Sequence, residues 1–249
     1  MASVGVQAQT LAPVLAAAAR KANELRGPVL ASAVIPFPAA EPVRLFCRAR
    51  ELASSWTPSE QAKRAGRLRW TDSALWAVPS CGTVLVGAGT AWALEASGVH
   101  RFRRIRDLWR QALADAVIEG LPGTHGTGPV ALGGFAFDPM GSARRSGPGR
   151  PGGATGIWSD FPDAWLAVPR FLLTQARDET WLTVNVRLTP GSHPAEEIGA
   201  IELDLADWLA PPGLLDPFER DGEAPDPTPG LLIEEVEPDR WSARVQALA

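Results

Sequence analysis

Several short stretches carry residue types that could do chemistry. "VLVGAGTAWALE" (84–95) has the look of a strand running into a glycine turn, the form of a dinucleotide site. In such a site the third small residue of G-x-G-x-x-G/A lets the following helix pack closely on the strand. Trp92, the bulkiest side chain available, stands at that position. A Rossmann unit also needs a second strand ending on an acidic residue about 20 residues further on. That distance falls inside a helical pattern, so the stretch reads as two short strands around a glycine turn. Neither NAD nor FAD is expected there.

The run "HRFRRIRDLWR" (100–110) could hold an anion, but a charge run on an amphipathic helix reads as a solvated face. "GTHGTG" (123–128) presents His125, a lone histidine among glycines, which reads as a surface residue. His100 and His193 have no Cys, Asp or Glu at metal-ligand spacing. Glu234, Glu235, Glu237 and Asp239 could hold a hard cation, yet they read as a solvated linker edge. There is no G-x-S-x-G elbow and no Walker lysine, and Lys21 and Lys63 are the only lysines. Ten tryptophans without a tyrosine are scattered through apolar segments, which points to core packing over a sugar-stacking surface. No catalytic, cofactor-binding or metal residue is assigned.

Periodicity sets the elements that must position these residues. Residues 8–25 form a helix ending before Gly27-Pro28, and Val29–Phe37 and Pro42–Arg48 read as strands. Short strands follow at Leu68–Trp70 and Leu75–Val78. In Arg101–Glu119, the residues Phe102, Ile105, Trp109, Leu113 and Val117 recur at three- and four-residue spacing, a helix stopped by Gly120 and Pro122. Pro129–Asp138 reads as a strand and Met140–Gly156 as a glycine- and arginine-rich loop. Trp165–Ala176 and Trp181–Leu188 form a hairpin across Arg177-Asp178-Glu179. In its second arm Leu182, Val184, Val186 and Leu188 alternate with Thr183, Asn185 and Arg187, which predicts one buried and one wet face. A helix at Pro194–Leu209 precedes the linker "DGEAPDPTPG" (221–230), and Arg240–Ala249 begins another helix. No internal repeat is visible.

A chain of 249 residues with 45% hydrophobic content can bury a sizeable core. A net charge of -4 offers no footprint for nucleic acid. No apolar run approaches the roughly 20 residues of a membrane helix, and basic Arg20 and Lys21 follow the alanine-rich Leu11–Ala19 run where a signal peptide carries its charges in front. Cys47 and Cys81 could form one disulfide, but so sparse a pattern reads as two buried thiols in a reducing cytosol. A cytoplasmic protein is expected, with no nucleic-acid or membrane partner.

"GPVALGGFAFDP" (128–139) is the most informative stretch. Phe135 and Phe137 share one face of a strand, with Gly134 and Ala136 on the other. Two adjacent glycines cost a strand about 0.5–1 kcal/mol each relative to Ala. Gly133 and Gly134 are therefore expected in a central strand, with another element packed against their backbone. Here the chain resembles the chorismate-utilising enzymes, and within them the isochorismate synthases. The resemblance runs from about Gly82 to Pro190 through "VLVGAGTAWALEASG", "RFRRIRDLW", "GPVALGGFAFDP", "WSDFPDAWLAVPRFLL" and "TWLTVNV" in order. Anthranilate and aminodeoxychorismate synthases tend to end the double-glycine strand in Tyr-Asp. This chain has Phe137-Asp138 and no Leu-Leu-Glu-Ser segment, the element tied to tryptophan feedback.

The resemblance implies an α+β fold, the N-terminal half of a four-layer α/β/β/α sandwich with mainly antiparallel sheets. It places that half at 1–220, with 221–249 as linker and start of a catalytic half. The implied reaction is an isomerisation: water adds at C2 of chorismate and the C4 hydroxyl leaves, feeding menaquinone or siderophore synthesis. A lysine serves as base, a glutamate as acid, and glutamate-bound Mg²⁺ holds the carboxylate. The family's segments bearing those groups have no counterpart here, so a fragment inactive alone is expected, its partners being chorismate in the parent enzyme and the absent C-terminal half. The alternatives are a non-catalytic binding or regulatory module, or the same half of an anthranilate, aminodeoxychorismate or salicylate synthase.

Overall fold

The computed structural model describes residues 4–54, 73–120, 123–137 and 162–210. The Leu68–Trp70 strand, the 140–156 loop, the linker, the acidic cluster and the Arg240–Ala249 helix lie outside these residues. Helix α1 (Val4–Leu25) leads into β1 (Val29–Pro36), α2 (Pro42–Ser54), β2 (Ser73–Val78) and β3 (Thr83–Ala96). Helix α3 (Arg101–Ala114), β4 (Val117–Glu119), β5 (Leu132–Phe135), β6 (Ala164–Ala176), β7 (Glu179–Leu188) and α4 (Pro194–Leu209) follow. The strands make one seven-stranded sheet in the order β2-β3-β6-β7-β1-β4, with β5 joined to β6 off that path. Among the described residues all strand pairings are antiparallel except β1 with β4. This is a mixed, mostly antiparallel α+β architecture.

Strand β6 organises the sheet. One edge pairs with β3 along its whole length, from Thr83↔Ala176 to Ala96↔Ala164. The other edge is shared: β7 takes Phe171–Ala176 and β5 takes Ala164–Ala167. At the fork stands Pro169, whose carbonyl accepts a 2.8 Å bond from Asn185 Nδ2. Proline inside a strand belongs at a bulge, and the β3–β6 register slips opposite it, between Thr90 and Trp92.

That bulge explains the glycines of the opening stretch. It is one continuous strand, not two strands around a turn. A Cβ on Gly87 would sit 2.8 Å from Pro169 Cγ, so only glycine admits the ring. Gly89 adopts φ 64° beside the bulge, a conformation glycine takes without a steric penalty. The slip also moves Trp92, Leu94 and Ala96 onto the face opposite Val86 and Ala88. There Leu94 and Ala96 pack with Ile105, Leu108 and Trp109 of α3.

The opposite face carries the main core. Leu11, Val14, Leu15, Ala18 and Ala22 form the apolar stripe of α1 over Val29, Ala31, Val184 and Val186. Trp208 of α4 is fully buried, stacks on Phe171 at 5.7 Å and donates its indole N–H to Leu45 O of α2 at 2.9 Å. Removing such a side chain typically costs about 3–5 kcal/mol.

Three other expectations change. Pro42–Arg48 is the start of a helix: Pro42 opens it, and Leu45, Ala49 and Leu52 bury one face at helical spacing. Helix α3 stops at Ala114, and Val117–Glu119 joins the parallel edge of β1, where Gly120 approaches the Val34 carbonyl. The β-branched pair Val117-Ile118 suits that edge better than a last helical turn. In β7 the expected wet face is largely covered, since Thr183 and Asn185 are as buried as Val184. The hairpin and the Pro194–Leu209 helix stand where the sequence placed them.

The double glycine is also corrected. Strand β5 is a four-residue strand lying off the main path, not a central strand. Only Gly133 meets a close neighbour, the backbone of Trp165 and Leu166, while Gly134 faces open space. Gly133→Ala is therefore expected to cost about 1–3 kcal/mol through overpacking, and Gly134→Val to stay within about 0.5 kcal/mol. Urea melts of the two variants check this. Equal losses, or a larger loss at Gly134, would count against the packing described.

Candidate functional site

Three turns meet at one end of the sheet and line an open cavity of about 850 Å³. They are the Pro79–Cys81 turn between β2 and β3, the Arg177-Asp178 turn of the β6–β7 hairpin, and the 123–128 loop. Trp76, Val78 and Leu85 give the cavity apolar walls, and Cys81, His125, Arg177 and Glu179 bring polar groups to it. Its size lies in the range of small-molecule sites, about 300–1,000 Å³.

Each wall has a local cause. Gly82 takes φ 62° and its N–H bonds Pro79 O, which closes the first turn. Arg177 is itself left-handed at φ 54°, and its N–H donates to Gly82 O, tying the two turns together. The loop is held by Thr174, whose hydroxyl donates to Gly126 O at 2.5 Å, and by Gly128 N–H, which donates to Thr183 Oγ1 at 3.1 Å. Glu179 is held by Thr124 Oγ1 and Trp181 Nε1, each donating to Oε2 at 3.3 Å. A fixed carboxylate beside an apolar wall can orient a small ligand that presents a hydrogen-bond donor.

The sequence motifs distribute unevenly around this geometry. His125 is exposed, as expected, but lines the cavity; His100 and His193 are exposed elsewhere. His100, Arg103, Arg104, Asp107, Leu108 and Gln111 line a shallow hollow of about 330 Å³ on α3. The glycine stretch of β3 has sheet partners on both sides, β2 and β6, so it does not form the strand–turn–helix of a dinucleotide site. Lys21 pairs with Asp115 at 3.7 Å, away from the cavity lining, and Lys63 lies outside the described residues. Both cysteines are free, and Cys81 is exposed, contrary to the expected burial. It sits in a surface turn, with its thiol 3.6 Å from Val78 O.

Two buried charge groups escaped the sequence reading. Arg170 reaches Asp204 at 3.6 Å and Glu197 at 3.9 Å, clamping α4 to β6. The available signal was an arginine inside the apolar "VPRFLL", with two carboxylates seven residues apart on one helix face. Burial lowers the Arg170 guanidinium against the opposing pull of Asp204 and Glu197. Burial likewise raises the Glu197 carboxyl; Arg170 opposes this, while Asp204 and Glu196 add to it. The second group is Arg101, 4% exposed, whose Nη2 donates to Ala136 O at 2.8 Å. Beside it Asp163 accepts the Gly98 N–H at 2.6 Å. Together they fix the end of β5 against the start of α3.

The sequence matches the chorismate binding enzyme family over residues 18–249, and the chain belongs to that family. No curated protein matches it.

The two groups that titrate or react yield separate expectations. Cys81 should react with an aromatic disulfide reagent faster than the partly buried Cys47, and Cys81→Ser should remove the fast phase. A single slow phase would contradict the exposed turn. Because the folded Glu197 carboxyl is raised, its contribution to stability is complete below the unfolded value of about 4.3 and is lost as pH rises through the folded value. The melting temperature of Glu197→Gln minus that of the parent should therefore rise with pH across that window. A difference that stays flat from pH 4 to 7 would refute the assignment.

Proposed function

We propose that this chain is the scaffold half of an isochorismate synthase, whose isomerisation of chorismate adds water at C2 as the C4 hydroxyl leaves. Membership of the chorismate-binding family supports action on chorismate. What supports the half-fold part of this reading is that the five resembling segments lie together in one sheet and its helix. They supply β3, α3, β5, β6 and β7, and β6 pairs with the other three strands. Phe137, where the amino-group-transferring relatives tend to have Tyr, is fully exposed beside the stacked Phe102–Phe135 pair. An aromatic surface at that strand suits a further layer, the second sheet of a four-layer sandwich.

In this reading the chain's residues position and do not react. Transfer of a proton at both ends of the ring needs a base and an acid, each within hydrogen-bond reach of its atom. The only described lysine is engaged with Asp115. Among the described residues no group of three or more His, Cys, Asp or Glu side chains is placed to hold a metal. In this reading the acid, the base and the Mg²⁺ ligands lie outside the described residues.

The test follows isochorismate by chromatography. The purified 249-residue chain, with or without Mg²⁺, should give none. Co-expression with the C-terminal half of an isochorismate synthase should give a soluble complex that forms isochorismate, while the corresponding half of an anthranilate synthase should give no complex. Turnover by the chain alone, in proportion to its concentration, would overturn the scaffold role. Preference for the anthranilate-synthase half would overturn the choice of reaction.

A further inference from the structure

The buried polar side of β7 poses a problem that the described contacts leave half solved. Thr183, Asn185 and Ser32 are each 0% exposed. Ser32 and Asn185 are direct cross-strand partners between β1 and β7. They alternate with Ala31, Ala33, Val184 and Val186, which belong to the helix-covered core, so both side chains point to the opposite face. Thr183 on that face is satisfied by the Gly128 N–H. The Ser32 hydroxyl and Asn185 Oδ1 are buried without a hydrogen-bond partner.

The orientation of the amide is fixed. Asn185 Nδ2 donates to Pro169 O at 2.8 Å, and a flipped amide would set two acceptors against each other. Oδ1 is thus committed as an acceptor that needs a donor. Ser32, opposite it, offers an O–H donor and two lone pairs. Buried polar groups in native proteins are almost always paired, with protein or with ordered water.

We propose that Ser32 and Asn185 hold one internal water molecule between β1 and β7. The water donates one hydrogen to Asn185 Oδ1 and exchanges its second bond with the Ser32 hydroxyl, which gives it the two polar partners an internal water requires. This resolves the alternation of β7: Thr183 and Asn185 are polar because they remain hydrated or hydrogen-bonded, although no bulk solvent reaches them. The site lies next to the fork at Pro169, so the water also stiffens the point where β7 leaves β6.

A high-resolution crystal structure of the chain, read with water–protein nuclear Overhauser effects, tests the site. One ordered water should lie at about 2.7–3.2 Å from both Ser32 Oγ and Asn185 Oδ1, with a long-lived water contact at the Ser32 β-protons. Ser32→Ala should weaken or abolish that contact and lower the melting temperature. A direct Ser32–Asn185 hydrogen bond, no density between them, or a Ser32→Ala protein with unchanged melting and water contact would each overturn the proposal.

Discussion

The pairing of β6 with three other strands is the constraint on which the rest of the structure depends. Because β3 runs the whole length of one edge, β7 and β5 must divide the other. The division falls at Pro169, which has no N–H to give a ladder. From it follow the register slip at Thr90/Trp92, the glycine at 87 and the anchoring of Asn185. The slip decides which face each half of β3 presents. Helices α1, α2 and α4 therefore cover one face near Val86, and α3 covers the other near Leu94. Helix α4 is tied to the same strand by the Arg170 clamp. A buried ion group of this kind adds little net stability, but breaking it leaves uncompensated charge, at a cost of about 3–5 kcal/mol.

Much of this was legible in the sequence where periodicity was long and clean. The hairpin, α4 and most of α1 announce themselves by alternation or by an apolar stripe. What failed shares a physical cause: the deciding partner lay far away in the chain. The glycines of β3 look like a turn until Pro169, about eighty residues on, is placed beside them. Pro42–Arg48 looks like a strand because a seven-residue window spans less than the Leu45, Ala49, Leu52 stripe. Asn185 looks wet because the 123–128 loop that covers its neighbour Thr183 cannot be foreseen from β7.

The same holds for the candidate site. Its cavity is assembled from three turns, none of which carries a recognisable motif; of the lining residues singled out beforehand, His125 was read as mere surface and Cys81 as a buried thiol. The resemblance to chorismate-utilising enzymes came instead from the order of whole elements, and that order is what the sheet realises around β6. Family membership points to action on chorismate, and the described architecture is a mostly antiparallel sheet organised around β6.

Strand β6, shared among three partners, should be the most protected of the described strands. Amide hydrogen–deuterium exchange resolved to single residues measures it directly, since protection tracks the free energy of local opening. Amides of 170–176 should exchange slowest, protection should continue through 164–167, and β2, β4 and the Gly134–Phe135 end of β5 should exchange much faster. Fast exchange across 164–167, with slow exchange confined to β1 and β7, would contradict it.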